Sequence, residues 1–297
     1  MTSTFPWDPI VPSHDSQKAT LKKYVESMPA FSPATVKIIA LANRMNTPPA
    51  EIVAAIRLDP VLTGKVLQLV NSAYFELAQR VTSLNRAVVY LGINTIKNLA
   101  LSTAVMQTFE TKNGELANLI RPAWRHSLAA AVSAKCLAQA AGVDPKTLEE
   151  YFIAGLLHDV GKIILMQAFY GTLPHDGNLS LTAERERYGI DHSQLAADTL
   201  KRWKFSDDLV QAIGTLYNPA PDNRMANFLH LADAMTYRLE LNGQPGGTYN
   251  ILPGAYAAIG LSEEKVLFGL ASAPDQIQKA EVFLNIASST EKVVEKE

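Results

Sequence analysis

Seven consecutive residues, Leu156-Leu157-His158-Asp159-Val160-Gly161-Lys162, concentrate the chemistry of this chain. An adjacent histidine and aspartate bring a neutral imidazole and a carboxylate to one divalent cation. Iron, manganese and zinc all accept such a mixed N/O donor set. The apolar run Tyr151 to Leu157 is expected to bury the pair at the end of a helix. Gly161 is expected to let the backbone turn tightly, and Lys162 suits either a phosphate oxygen or a nearby carboxylate. His126, in Trp124-Arg125-His126-Ser127, and Asp233, in Leu231-Ala232-Asp233, would complete a four-residue metal shell. His192 is either a peripheral ligand or, on the plainer expectation, an exposed residue. His230 precedes Asp233 by three positions on the same helical face, where it packs or supports its neighbour. The alternative to a metal is a polar cluster whose members satisfy one another by hydrogen bonds.

Helices are needed to carry these residues. Apolar positions recur at helical spacing and strand-like alternation is almost absent, which predicts an all-α fold. Ser32-Pro33, Thr47-Pro48-Pro49 and Asp59-Pro60 place caps and first-turn prolines at three helix starts. Their expected inward faces are Val36, Ile39 and Ala40; Ile52, Val53 and Ile56; and Val61, Leu62, Val66, Leu67 and Val70. Gly92 divides one apolar helical segment, 84–91, from the next, 93–109. Pro122 is expected to open a long Ala-rich helix ending at Gly142, with His126 one turn inside. Asp144-Pro145 would cap the helix that delivers His158 and Asp159, and Asp191-x-x-Gln194 resembles a capping box. Ser206 starts a helix ending near Tyr217, and residues 223–239 form the helix of His230 and Asp233. Punctuation at Thr111 to Glu115 suggests a boundary between two lobes. The resulting division is a flexible tail at 1–15, an N-terminal helical lobe at 16–110, a second helical domain at 111–290 and a charged tail at 291–297.

Composition narrows the function classes. Of 297 residues, 47% are hydrophobic and 19% charged, enough to build a substantial core. The net charge of −2, with Lys and Arg scattered, disfavours nucleic-acid binding through phosphate neutralisation. The single cysteine, Cys136, excludes an internal disulfide and is expected to be a small buried apolar residue. No secretory signal pattern and no uncharged apolar stretch of membrane length is read, so the expected location is the cytoplasm, away from membranes.

The order His126, His158-Asp159, Asp233 resembles the HD superfamily of metal-dependent phosphohydrolases. Around it, Arg57-x-Asp59-Pro60-Val61-Leu62, Leu67-x-x-x-Asn71-Ser72-Ala73-Tyr74, Ala87-Val88-x-x-Leu91-Gly92 and Glu184-x-Glu186-x-x-Gly189-x-Asp191-His192 resemble the HDOD (HD-related output domain) family over about residues 22–220. That resemblance implies a two-lobed all-α protein with an HD-like C-terminal bundle and a bacterial signalling role. It also implies a protein partner or small signalling ligand, with at most one divalent metal at a degenerate site. The related HD-GYP phosphodiesterases carry a His-His pair that would fall near Leu216-Tyr217-Asn218, where this chain has no histidine. Two-metal hydrolysis needs both ions held close together, so the resemblance favours a binding module. A mononuclear phosphohydrolase acting on a nucleotide or phosphomonoester is the alternative, with Lys162 as its phosphate contact. Tyr74 and Phe75, beside the expected lobe junction, are expected to pack between helices.

Overall fold

The computed structural model describes residues 14–44, 47–172, 179–243 and 250–287, so most of the N-terminal tail and the C-terminal tail expected above lie outside the described residues. Among the described residues the secondary structure is entirely helical, as the apolar spacing predicts. The first helices are α1 (His14–Ser27), α2 (Pro33–Ala42), α3 (Pro49–Ile56), α4 (Pro60–Val70) and α5 (Leu84–Thr108). The starts of α2 and α4 follow the expected physics, whereas α3 begins after Pro48 with no side-chain cap and Thr47 Oγ1 donates back to Leu41 O at 2.7 Å. Ser32 Oγ accepts from Thr35 N and Asp59 Oδ1 from Leu62 N, so each cap satisfies an amide that has no partner within its helix. The inward face of α3 is as expected, but Val36 and Val61 are 54% and 57% exposed. In α2 the buried stripe runs through Ala34, Ile38, Ile39 and Leu41 instead, a rotation that the short apolar pattern did not resolve.

Helix α5 bends where Gly92 adopts φ 77° and ψ 161°, a conformation that needs the missing Cβ. By length and composition α5 is the one described helix able to cross a membrane. About 56% of that apolar stretch is buried inside the protein, as in a core helix.

Helix α6 (Gly114–Ala140) starts two turns earlier than expected. Asn113 Oδ1 caps it through Leu116 N, and Pro122 lies inside. A proline there forfeits the bond to the carbonyl of Asn118, an exposed residue. His126 therefore sits mid-helix rather than one turn in. This long helix is the axis of the C-terminal part, packing on α7 (Leu148–Leu157), α8 (Val160–Ala168), α12 (Arg224–Arg238), α14 (Glu263–Gly269) and α15 (Ala273–Ala280). A Cβ on Gly155 would lie 2.5 Å from Ala131 Cα, so α6 and α7 meet backbone to backbone.

The remaining helices are α9 (Leu181–Tyr188), α10 (His192–Arg202), α11 (Asp207–Thr215), α13 (Ala255–Ile259) and α16 (Val282–Ala287). The two halves of the chain interleave. α1 packs on α8 and α9, while α16 packs on α4 and α5. Buried side chains from Leu21 to Ile286 form one contiguous core. Tyr74 and Phe75 contribute to it. Tyr74 meets Phe75 and Phe283 edge-on at 4.9 and 5.4 Å and Phe152 at 6.1 Å, which ties the α4–α5 connection to α7 and α16.

Candidate metal centre

Four helices deliver the polar cluster. His126 comes from the middle of α6, and Asp233 from the buried face of α12. His158 closes α7 and Asp159 opens α8, so the pair occupies the corner between two helices. Thr147 precedes α7, and Asp144 instead folds into a turn, its Oδ1 accepting from Lys146 N at 2.9 Å; the expected Asp144 cap is thus displaced. Gly161 does not turn the chain either. It lies within α8, where a Cβ would collide with the carbonyl oxygen of His192 and lie 2.8 Å from Ala196 N. Its lack of a side chain lets α8 and α10 touch, and that contact sets His192 against Asp159.

His126, His158, Asp159, Asp233 and His192 are between 1% and 4% exposed. His126 Nε2 lies 2.8 Å from Asp233 Oδ1 and 3.7 Å from Asp159 Oδ2. His158 Nε2 lies 3.5 Å from Asp159 Oδ1 and 3.7 Å from Asp233 Oδ1. Donor atoms of His126, His158 and Asp159 fall within 4.8 Å of one another. These approaches lack hydrogen-bond alignment. His126 Nε2, His158 Nε2, Asp159 Oδ1 and both Asp233 carboxylate oxygens are buried without a hydrogen-bond partner. His158 Nδ1 donates to Gly155 O at 2.7 Å, which turns Nε2 toward the carboxylates. Asn242 Nδ2 lies 3.4 Å from His126 Nδ1, and the Tyr237 ring packs on the His126 ring at 4.5 Å.

The electrostatics follow from burial opposed by neighbours. Burial alone would push the Asp159 carboxyl up, yet Lys162, His158, His192 and His126 around it hold it below the ordinary carboxylate range. Asp233 is likewise lowered despite burial, by His126 and His158. Burial disfavours a charged His158, but Asp159 and Asp233 outweigh it and raise that imidazole to about 9. Lys162 Nζ sits 3.2 Å from Asp159 Oδ2, and this pairing holds its ammonium above the usual value despite burial. Of the two roles open to Lys162, the structure displays the carboxylate partner. Two carboxylates and two imidazoles, with unsatisfied atoms facing one another, fit the donor chemistry of one divalent ion.

His192 is not exposed, contrary to expectation. Its Nε2 lies 3.4 Å from Asp159 Oδ1 and 2.9 Å from the Tyr217 hydroxyl, and its Nδ1 is 2.7 Å from Glu184 Oε2. Glu184 also accepts from the His192 backbone N–H at 2.8 Å. Asp191 caps α10 through Gln194 N, but the Gln194 side chain turns to Asp198, so the capping box is only half formed. His230 stands apart from the cluster, held between Leu216 O and Leu252 N, each at 3.0 Å.

The HDOD domain model matches residues 28–219 of this chain. The chain belongs to the HDOD domain family. An HDOD domain protein of Geobacter sulfurreducens has the same fold, at TM-score 0.70 and 20% identity over 91% of this chain and 98% of the other. A Marinobacter aquaeolei VT8 protein named for signal transduction aligns at TM-score 0.71 and 20% identity, over 94% of this chain and 67% of that one. A Shewanella amazonensis SB2B protein named for metal-dependent phosphohydrolysis aligns at TM-score 0.61 and 18% identity, over 90% and 98%. A Treponema pallidum (strain Nichols) protein is 24% identical over 212 residues, 67% of this chain but only 39% of that longer protein.

Three neighbours of this HDOD cluster carried no assigned role in the sequence reading. Glu184 lies in the HDOD-like motif that ends at His192, eight residues before that histidine. Tyr217 is visible only as the position where a histidine is missing. Tyr237, one helical turn beyond Asp233, is an ordinary α12 residue until packing sets its ring on His126.

Proposed function

We propose that this HDOD chain is a signalling module that holds one divalent ion at His126, His158, Asp159 and Asp233 and is read by a protein partner or small ligand. The observation that carries the metal reading is the convergence of buried imidazole and carboxylate donor atoms, those of His126, His158 and Asp159 within 4.8 Å of one another, with Asp233 against both histidines. A mutually satisfied polar cluster is the alternative, and the metal analysis below separates the two. When bound, the ion supplies positive charge between two carboxylates. His158 contributes Nε2 because its Nδ1 proton is committed to Gly155 O. Lys162 balances the remaining charge on Asp159.

A hydrolase finds less support. The Tyr217 hydroxyl and Glu184 engage His192 on both sides, at the place where the resembling phosphodiesterases have more ligands. Lys162 is bound to Asp159, and the cluster is buried from substrate. Elemental analysis of protein purified without chelator, after incubation with iron, manganese or zinc, tests the proposal. Close to one ion per chain is expected, lost in Asp159→Ala, with no hydrolysis of cyclic dinucleotides. A metal-free protein after excess metal refutes the site. Robust hydrolysis that disappears in His158→Ala instead establishes the phosphohydrolase.

A further inference from the structure

Away from the metal cluster, a small cavity of about 190 Å³ opens where α2, α5, α7 and α11 meet. Its polar lining comes from Lys97 and Asn98 on α5, Glu150 on α7 and Asp208 on α11. Asn43, at the end of α2, closes one rim by donating from Nδ2 to Lys204 O at 2.6 Å. The apolar lining includes Leu101, Ile153, Phe205 and Leu209, all buried. Asn98 is 4% exposed, and its Nδ2 has no hydrogen-bond partner. An amide donor buried without an acceptor is a cost that a native fold rarely leaves standing.

The charges are equally unresolved. Lys97 and Glu150 line the same space, yet among the described residues the two make no direct ion pair and act on one another only at longer range. Burial pushes the Lys97 ammonium down, and burial with the nearby Asp208 pushes the Glu150 carboxyl up. Each charge thus lacks a close counterion within a partly dry cleft.

We propose that this cleft binds a zwitterionic α-amino acid with an apolar side chain. Its carboxylate would accept from Lys97 Nζ and Asn98 Nδ2. Its ammonium would face Glu150 and Asp208, and its side chain would lie among Leu101, Ile153 and Phe205. The cavity is smaller than the ~300 Å³ at which pockets for drug-sized molecules begin, which suits a ligand of this size. A simple anion would leave the two carboxylates unanswered, and a simple cation would leave Lys97 and Asn98 so. Because helices from both halves of the chain line the cleft, occupancy would bias how they pack, an input suited to a signalling protein. The inference does not depend on the metal reading and survives a negative metal analysis.

The test is calorimetry and thermal denaturation of the full chain against the common amino acids, one at a time. One or a few apolar amino acids should bind saturably and raise the melting temperature. Their N-acetyl and carboxamide forms should bind at least ~10-fold more weakly, each having lost one charge, a difference of ~1.4 kcal/mol. Lys97→Met and Glu150→Gln, checked for helical content by circular dichroism, should weaken binding by a similar factor. If one variant does not fold, the analogue series and the other variant decide. Failure of every amino acid to bind at millimolar concentration overturns the proposal. So does equal binding of the charge-deleted analogues, or unchanged affinity in the folded variants.

Discussion

Replacing Gly161 with alanine probes the contact that sets His192 against the buried His/Asp cluster. The added methyl would collide with His192 O and lie 2.8 Å from Ala196 N, both backbone atoms of α10. Backbone inside a helix cannot rotate aside as a side-chain tip does, so α8 and α10 must separate. Overpacking of this kind costs ~1–3 kcal/mol, and rigid backbone places Gly161→Ala at the upper end. The helix-propensity gain of alanine over glycine returns up to ~1 kcal/mol, for a net loss of about 2 kcal/mol. For a chain of 297 residues, an unfolding entropy of ~2 cal/mol/K per residue means each kcal/mol lowers the melting temperature by ~1.5–2 °C, so a fall of about 3–4 °C is expected. Gly114→Ala is the control. Nothing lies within 4 Å of its would-be Cβ, at the exposed first position of α6, and the change should be neutral or stabilising by up to ~1 kcal/mol. Calorimetry of the metal-free proteins compares the two, and metal analysis of Gly161→Ala should reveal weakened retention as His192 moves from Asp159. Equal melting temperatures for Gly161→Ala and Gly114→Ala would refute the close-packing account.

Two further perturbations address the frame around the site. Tyr74→Ala should cost about 3 kcal/mol, the lower end for deleting a large aromatic side chain, because the ring meets Phe75, Phe152 and Phe283; Tyr74→Phe should retain most of that, and a silent alanine variant in urea titrations would mean the segment only links helices. Burial lowers the His230 imidazole although Leu216 O and Asp233 oppose the shift, so its contribution is complete above the unfolded value of about 6.5 and fades as pH falls through the lower folded value. Urea midpoints should therefore decline on acidification below about pH 6.5, less steeply in His230→Asn, and identical slopes would remove His230 from the account.

Sequence alone determined the all-helical architecture, because apolar residues at helical spacing are a local signal that tertiary context had no need to override. It also marked His126, His158, Asp159 and Asp233, since residue type and family order are one-dimensional properties. Helix starts at Ser32 and Asp59 were legible because capping acts over three residues. Other features needed the folded chain. Pro122 reads as a helix start, yet packing carries α6 through it, since its missing hydrogen bond falls on the exposed side. Val36 and Val61 share the apolar pattern of their neighbours, and only the angle at which α2 and α4 dock leaves them in solvent. Gly161 looks like a turn residue, whereas its role is set by the distance to a helix some thirty positions onward. The burial of His192, and its capture between Glu184 and Tyr217, arise from that same approach of α8 to α10. A histidine's type is written in the chain, but the carboxylate it faces and the water it loses depend on residues far along the sequence, which meet only when the helices pack.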